Sequence, residues 1–243
     1  MRKEARVRIA VAREAARLMY EEEVGQYMDA KRMAARRVLG RSGGRQVRFK
    51  PRFRPSNGEI RDELLFLAEM AEGASRRQRL FVMRAVALDA MRALAAFRPG
   101  LIGSVSTGHV RRGSDIDLHV FTDVEDELLQ RLHHLAWHHG LERVQIRRGT
   151  RFEVYTHVHV DRGFPLELSV YPERERRIVT RSSTDGRPIR RVGVAALAVL
   201  IADDHPEEWA EWGATGLIPG LHEALEDDEH GGAFDGFIEE FCG

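Results

Sequence analysis

GSVSTGHVRRGSDIDLHVF, residues Gly103 to Phe121, is the stretch on which the fold turns. Asp115, Ile116, Asp117 and Leu118 alternate with a period of two. That spacing predicts a strand with both carboxylates on one face and the apolar pair on the other. Two carboxylates so close repel each other, and a divalent cation resolves the conflict. An oxygen-only pair suits Mg²⁺, which also takes phosphate oxygens and water. Just upstream, LIGSV (Leu101 to Val105) has strand length and runs through Gly103 and Ser104. Glycine there permits close approach of the chain, and backbone N–H groups with the Ser104 hydroxyl can hold phosphate oxygens.

Working outward, TDVEDELLQRLHHLAWHHG predicts a helix with a capping box from Thr122 to Glu125 and Gly140 at its C-terminal end. RVQIRR, RFEVYTHVHVD and FPLELSVYP read as three strands, with turns at Gly149 and at Asp161-Arg162-Gly163. Toward the N-terminus, apolar residues recur at three- and four-residue steps over 5 to 39, predicting one or two helices before the Gly43-Gly44 loop. Ser56 or Asn57 caps a further helical run that Gly73 stops. A second long helix from about Arg76 to Phe97 buries Leu80, Met83, Ala87, Met91 and Leu94, with Arg77, Arg84 and Arg92 turned away. After the polar loop SSTDGRP come the apolar helix VGVAALAVLIA and acidic helices. One sheet backed by helices is an α+β fold. The expected organisation is a basic helical region over 1–75, a core over 76–181 and an acidic helical region over 182–243.

An apolar residue, Gly103-Ser104, about ten residues and then Asp115-apolar-Asp117-apolar resembles the signature of the nucleotidyltransferase superfamily with the DNA polymerase β palm. The likeness is particularly to its minimal prokaryotic members and covers roughly Leu80 to Pro172. The resemblance implies that fold, with a mixed sheet backed by helices, and a third acid on a later strand. Glu167, between Leu166 and Leu168, is the choice, because a carboxylate there breaks a buried face unless a cation or partner waits for it. Asp161 competes but reads as a turn residue, and Glu153 is a third candidate. The implied reaction is transfer of a nucleoside monophosphate from a nucleoside triphosphate, expected to be ATP, to a hydroxyl, with pyrophosphate released. Asp115, Asp117 and Glu167 would be its catalytic and metal-binding residues, with Mg²⁺ or Mn²⁺, and Gly103 and Ser104 would hold the β- and γ-phosphates. The sequence departs from the family at two points: Thr107 stands where many minimal members carry Arg, and the third acid is Glu rather than Asp. The phosphate clamp is then either absent or supplied by Arg111 or Arg112, with Ser114 beside them.

Composition bounds the remaining choices. The chain has 243 residues, 43% hydrophobic and 31% charged, which argues against disorder and allows a full core. Its one cysteine, Cys242, excludes an intramolecular disulfide and a Cys-rich zinc site. Neither a signal-peptide h-region nor a membrane-spanning stretch is visible, so a soluble, cytoplasmic protein is expected. The 38 basic and 38 acidic residues balance but are segregated: ten basic residues and no acid lie from Lys31 to Arg54, whereas thirteen acids and no Lys or Arg follow from Asp203. The basic run can meet the acidic tail, water, or a polyanion such as RNA. His134 and His138, one helical turn apart, and His157 and His159, on one strand face, are weaker metal candidates, with His159 favoured. The acceptor stays open among RNA, protein and a small alcohol. A catalytically idle, antitoxin-like nucleotide-binding module and a nucleic-acid-binding protein without chemistry are the alternatives.

Overall fold

The computed structural model describes residues 3–22, 24, 26–40, 53–148, 151–182 and 186–228. The sequence positions beyond them include Gly43, Gly44, Gly149, Cys242, the basic residues from Arg41 to Arg52 and the acidic residues after Asp228. Two compact units are present, Met1–Gly73 with Arg181–Pro188, and Ala74–Thr180 with Ile189–Gly243.

In the first unit, α1 (Lys3–Glu21) and α2 (Tyr27–Leu39) precede the start of α3 (Asn57–Ala93). Small residues let the helices close: Val11, Ala12, Ala15, Ala16, Ala30 and Ala34 are buried in one cluster with Ile60 and Leu64. The Ser56 box caps α3, since Glu59 N–H donates to Ser56 Oγ at 3.1 Å and Ser56 N–H donates to Glu59 at 2.8 Å. Much of the basic character here is neutralised at home. Arg37 reaches Glu22 at 2.7 Å and Glu14 at 3.1 Å, Arg32 reaches Asp29, and Lys31 is buried against Asn57 Oδ1.

Helix α3 is interrupted at Gly73, whose φ of 46° and ψ of −114° are open to glycine alone, and the unit boundary follows directly. The continuation through Ala93 is buried on more than one stripe: Phe81, Val82, Met83, Ala85, Val86, Leu88 and Met91 are all fully or almost fully enclosed. Arg84 therefore does not face water as the heptad-like spacing suggests. It is buried, donating to the Val105 carbonyl at 3.1 Å and pairing with Asp204 at 2.6 Å.

The sheet comprises β1 (Gly100–Ile102), β2 (Ile116–Phe121), β3 (His139–Arg148), β4 (Arg151–Asp161) and β5 (Pro165–Tyr171), in the order β1-β2-β5-β4-β3. β2 and β5 are parallel and the other pairs antiparallel, which makes the sheet mixed and the class α+β. The single-turn helix α4 (Gly103–Thr107) follows β1, and α5 (Glu125–His134) connects β2 to β3. Helices α6 (Val194–Asp204), α7 (Pro206–Thr215) and α8 (Leu221–Glu226) complete the described chain. Leu197, Ile201, Ile218, Leu221 and Leu225 join the sheet's own core, which is why residues from Ile189 onward belong to this unit. Among the described residues no helix is long and apolar enough to cross a membrane.

The helix expected to run to Gly140 stops at His134. Ala136 takes a left-handed φ of 55°, Trp137 is buried with the Arg162 guanidinium 4.4 Å over its ring, and His139 to Glu142 pair with β4. The ladder and the indole anchor outweigh the local helical pattern. Nor does Thr122 form the expected box with Glu125. Its hydroxyl accepts from Val124 N–H at 3.0 Å instead, a local turn that hands the helix start to Glu125.

Alternation divides the sheet into a dry and a polar face. Ile116, Leu118, Leu166, Leu168, Val158 and Val160 bury one side, whereas Asp117, His119, Glu167, Ser169, His157 and His159 occupy the other by their odd positions. Leu118 sits centrally, fully buried, opposite Leu101 on β1 and Leu168 on β5. Leu118→Ala should therefore lower stability by about 2–5 kcal/mol. Urea denaturation followed by tryptophan fluorescence checks this, because Trp137, Trp209 and Trp212 all lie in this unit; a loss under about 1 kcal/mol would contradict the packing.

Candidate metal centre

Asp115 precedes β2, Asp117 is its second residue, and Glu167 is directly opposite Asp117 on the parallel strand β5. Parallel in-register pairing puts the two side chains next to each other, and the two-residue step brings Asp115 onto the same face. One carboxylate oxygen from each of the three lies within 4.8 Å of the others. Among the described residues no Lys or Arg pairs with any of them, so protein cations do not relieve their mutual repulsion.

Asp117 bears the strain. Burial, and then the charges of Asp115 and Glu167, push its carboxyl up to about 8 from the ordinary 3.8. Gly103 makes that burial achievable. Its φ is 70°, and a Cβ there would lie 2.1 Å from Asp117 Oδ2, so the chain passes where only glycine fits. Next to it, the Ser104 hydroxyl is buried and has no hydrogen-bond partner among the described residues. An orphaned hydroxyl beside three crowded carboxylates fits a site built for a cation and the polar ligand that accompanies it.

Glu167 is oriented by its neighbours. His157 Nδ1 lies 2.7 Å from Glu167 Oε1, and Ser169 Oγ donates to the same oxygen at 3.3 Å. Both contacts fall on Oε1. His119 continues the polar row. Its Nδ1 accepts from Arg191 Nε at 2.9 Å, and burial, followed by the charges of Arg191 and His157, holds its pKa down to about 3. Arg191 is itself fixed by the Arg176 and Ile178 carbonyls and lies 5.0 Å over the Phe121 ring. The role of His157 as a support for Glu167 went unread in the sequence. Its only signal was the even spacing of His157 and His159, which says that they share a face but not which carboxylate they meet.

The other predicted residues find different surroundings. Arg112 pairs with Asp227, which also takes the fully buried Arg79. Ser114 is buried, its hydroxyl accepting from Arg111 N–H at 2.9 Å, and the Arg111 guanidinium donates to the Arg112 carbonyl at 3.1 Å. These contacts close the loop before β2. Thr107 donates to the Gly103 carbonyl at 3.1 Å. Asp161 accepts from Gly163 N–H at 3.0 Å, the expected turn contact, and Glu153 accepts from the Tyr155 hydroxyl; neither belongs to the carboxylate cluster. His159 lies 3.2 Å from Glu142, not within the cluster. His134 ends α5 and His138 lies beyond it, so they are not one helical turn apart.

No protein-family model matches the chain, and neither a curated protein nor a solved structure does.

The charge states give a pH dependence of definite sign. With its carboxyl raised, the folded chain keeps a proton on Asp117 that the unfolded chain loses above about pH 4, so stability falls as pH climbs from there to about 8. His119 acts oppositely, since only the unfolded imidazole protonates below its ordinary 6.5, and stability falls as pH drops through that region. Between pH 6.5 and 8 the Asp117 effect should stand alone of the two. Chelator-treated protein is expected to melt at lower temperature at pH 8 than at pH 6.5, and Asp117→Asn should flatten the slope. A flat profile for the wild type would contradict the crowded carboxylates. Gly103→Ala, by displacing Asp117, should weaken Mn²⁺ binding at least tenfold in calorimetric titration; unchanged affinity would show that the close approach is dispensable.

Proposed function

We propose that this chain is a metal-dependent nucleotidyltransferase with a polymerase β-like palm. It would transfer a nucleoside monophosphate from a nucleoside triphosphate, ATP being the expected donor, to a hydroxyl acceptor. The carrying observation is the gathering of Asp115, Asp117 and Glu167 from two parallel strands beside the Gly103-Ser104 bend. The mixed sheet with a parallel central pair, and a glycine-serine bend leading out of its edge strand, support the same reading.

Asp115, Asp117 and Glu167 would hold two divalent cations, Mg²⁺ or Mn²⁺, which supply charge neutralisation and acidify the acceptor hydroxyl. The protein's own part is positional. Ser104 Oγ and the backbone at Gly103 hold the terminal phosphates, fixing the α-phosphorus in line with the acceptor. His157 and Ser169 fix Glu167, whose carboxylate receives the proton as the acceptor oxygen attacks. The new P–O bond forms as the bond to the β-phosphate breaks, and pyrophosphate leaves.

Two observations favour a second reading, nucleotide binding without transfer: Thr107 stands where many minimal members of the superfamily it resembles carry Arg, and Arg112 is held by Asp227. Pyrophosphate release separates the two. In a coupled assay with ATP, Mg²⁺ and a panel of acceptors, the wild type should release pyrophosphate. Asp115→Asn and Asp117→Asn should each lose at least 99% of that rate, roughly the scale on which electrostatic groups act, while keeping native circular dichroism. Equal rates in variant and wild type would overturn the enzymatic reading, and nucleotide binding with no pyrophosphate from any acceptor would favour the second.

A further inference from the structure

The three acids of the cluster are not held alike. Asp117 lies in two ladders, opposite Ile102 on β1 and Glu167 on β5, and Glu167 is also opposite His159 on β4. Among the described residues Asp115 belongs to no ladder, because β2 begins one residue later, and it is exposed. Its place is set by the segment that leads into it, the turn 111–114. There Ser114 N–H donates to the Arg111 carbonyl at 3.1 Å and Arg111 N–H donates to Ser114 Oγ at 2.9 Å. Gly113 takes the left-handed φ of 66° that the third position of such a turn demands.

The turn is fastened from outside by the two residues that follow α8. Gly113 N–H donates to Asp228 Oδ1 at 3.3 Å, and the Arg112 guanidinium pairs with Asp227. Asp227 also takes Arg79, which is fully buried, and Asp228 is buried itself. Both aspartates continue the helical path, their N–H groups donating to the Glu223 and Leu225 carbonyls at 3.1 and 3.2 Å. α8 is rooted in the core of the unit through Leu221, Ala224 and Leu225. Farther back on the same approach, Arg76 donates to the Gly108 and Val110 carbonyls at 2.6 and 2.9 Å. A line of contacts thus runs from the core, through α8 and the turn, to the backbone of Asp115.

Resting on the cation site proposed above, we infer that Asp227 and Asp228 form a latch that positions Asp115, so that docking of α8 and cation binding at the cluster reinforce each other. Both are positioning residues, since neither belongs to the three-acid cluster and both act through the turn. With the turn latched, a cation meets all three carboxylates already in place. With the turn loose, it meets two and must order the third. The coupling is reciprocal: the affinity that the docked helix lends to the cation, the bound cation lends to the docked helix. Coulomb interaction alone predicts another outcome. Arg112 carries a positive charge three residues from Asp115, so its removal would by charge strengthen binding of a divalent cation, whereas its removal from the latch weakens that binding.

The test is calorimetric titration of the full chain with Mn²⁺ alone, well below the melting temperature of each variant. Arg112→Ala and Asp228→Ala are each expected to weaken Mn²⁺ binding at least about tenfold, the scale on which partners behind a metal ligand act. Asp228→Asn keeps an oxygen that can accept from Gly113 N–H and should stay within about threefold of the wild type. Hydrogen exchange on the unsubstituted protein gives the reciprocal reading. Saturating Mn²⁺ should slow exchange at the Ala224, Asp227 and Asp228 amides at least about fivefold, and Asp115→Asn should lose that protection. Unchanged or tighter Mn²⁺ binding by Arg112→Ala, equal losses in Asp228→Asn and Asp228→Ala, or unprotected α8 amides in the Mn²⁺-saturated wild type would each overturn the latch and leave the cation site standing. Should Asp228→Ala fail to fold, the exposed Arg112 and the wild-type exchange decide the matter. A wild type that binds no Mn²⁺ would remove the cation site and the latch with it.

Discussion

Three carboxylates held within 4.8 Å of one another, with no basic side chain among the described residues to separate them, are the constraint around which the second unit is arranged. Like charges in a partly buried place raise the energy of the folded chain, and the fold bears that cost only through what surrounds the cluster. The parallel pairing of β2 with β5 fixes two of the acids in register, and a dry core on the reverse face of the sheet keeps that register from slipping. A one-residue shift would send Asp117 and Glu167 into the core and bring Leu118 and Leu168 to the surface. Register and charge crowding are therefore the same structural fact seen from opposite faces.

The supports around the cluster form a graded series. Gly103 yields space to Asp117, His157 and Ser169 hold one oxygen of Glu167, and His119 with Arg191 anchors the next step of the polar row. His119 is kept neutral by its burial, and Arg191 beside it donates to the Arg176 and Ile178 carbonyls. Within the first unit, Arg37 pairs with Glu14 and Glu22, and Arg32 with Asp29.

The central strands and their acids were legible because the period-two alternation of Asp115 to Leu118 and of Leu166 to Leu168 is enforced by burial on one face alone. The Ser56 capping box was legible for an equally local reason, a hydroxyl and a carboxylate three residues apart. What could not be read depended on distant partners. The helix before β3 was overextended because Trp137 is drawn into the core and His139 to Glu142 are claimed by β4, contacts invisible in a window of ten residues. Arg84 looked solvent-facing since its partners, Val105 and Asp204, are supplied from elsewhere in the chain. Arg112 and Ser114 looked available for a ligand until Asp227 and the Arg111 backbone proved to hold them. The Glu167–His157 pairing belongs to the same category, since it needs the β4–β5 register.

A pocket of about 550 Å³ flanks the carboxylate cluster, its lining including Asp115, Glu167, Asp161, His138 and His159. The account as a whole is tested most directly by diffraction from crystals soaked in Mn²⁺, recorded near the manganese absorption edge. It predicts anomalous density bonded to oxygens of Asp115, Asp117 and Glu167 together. Density that avoids these three side chains, or none at saturating Mn²⁺, would contradict it.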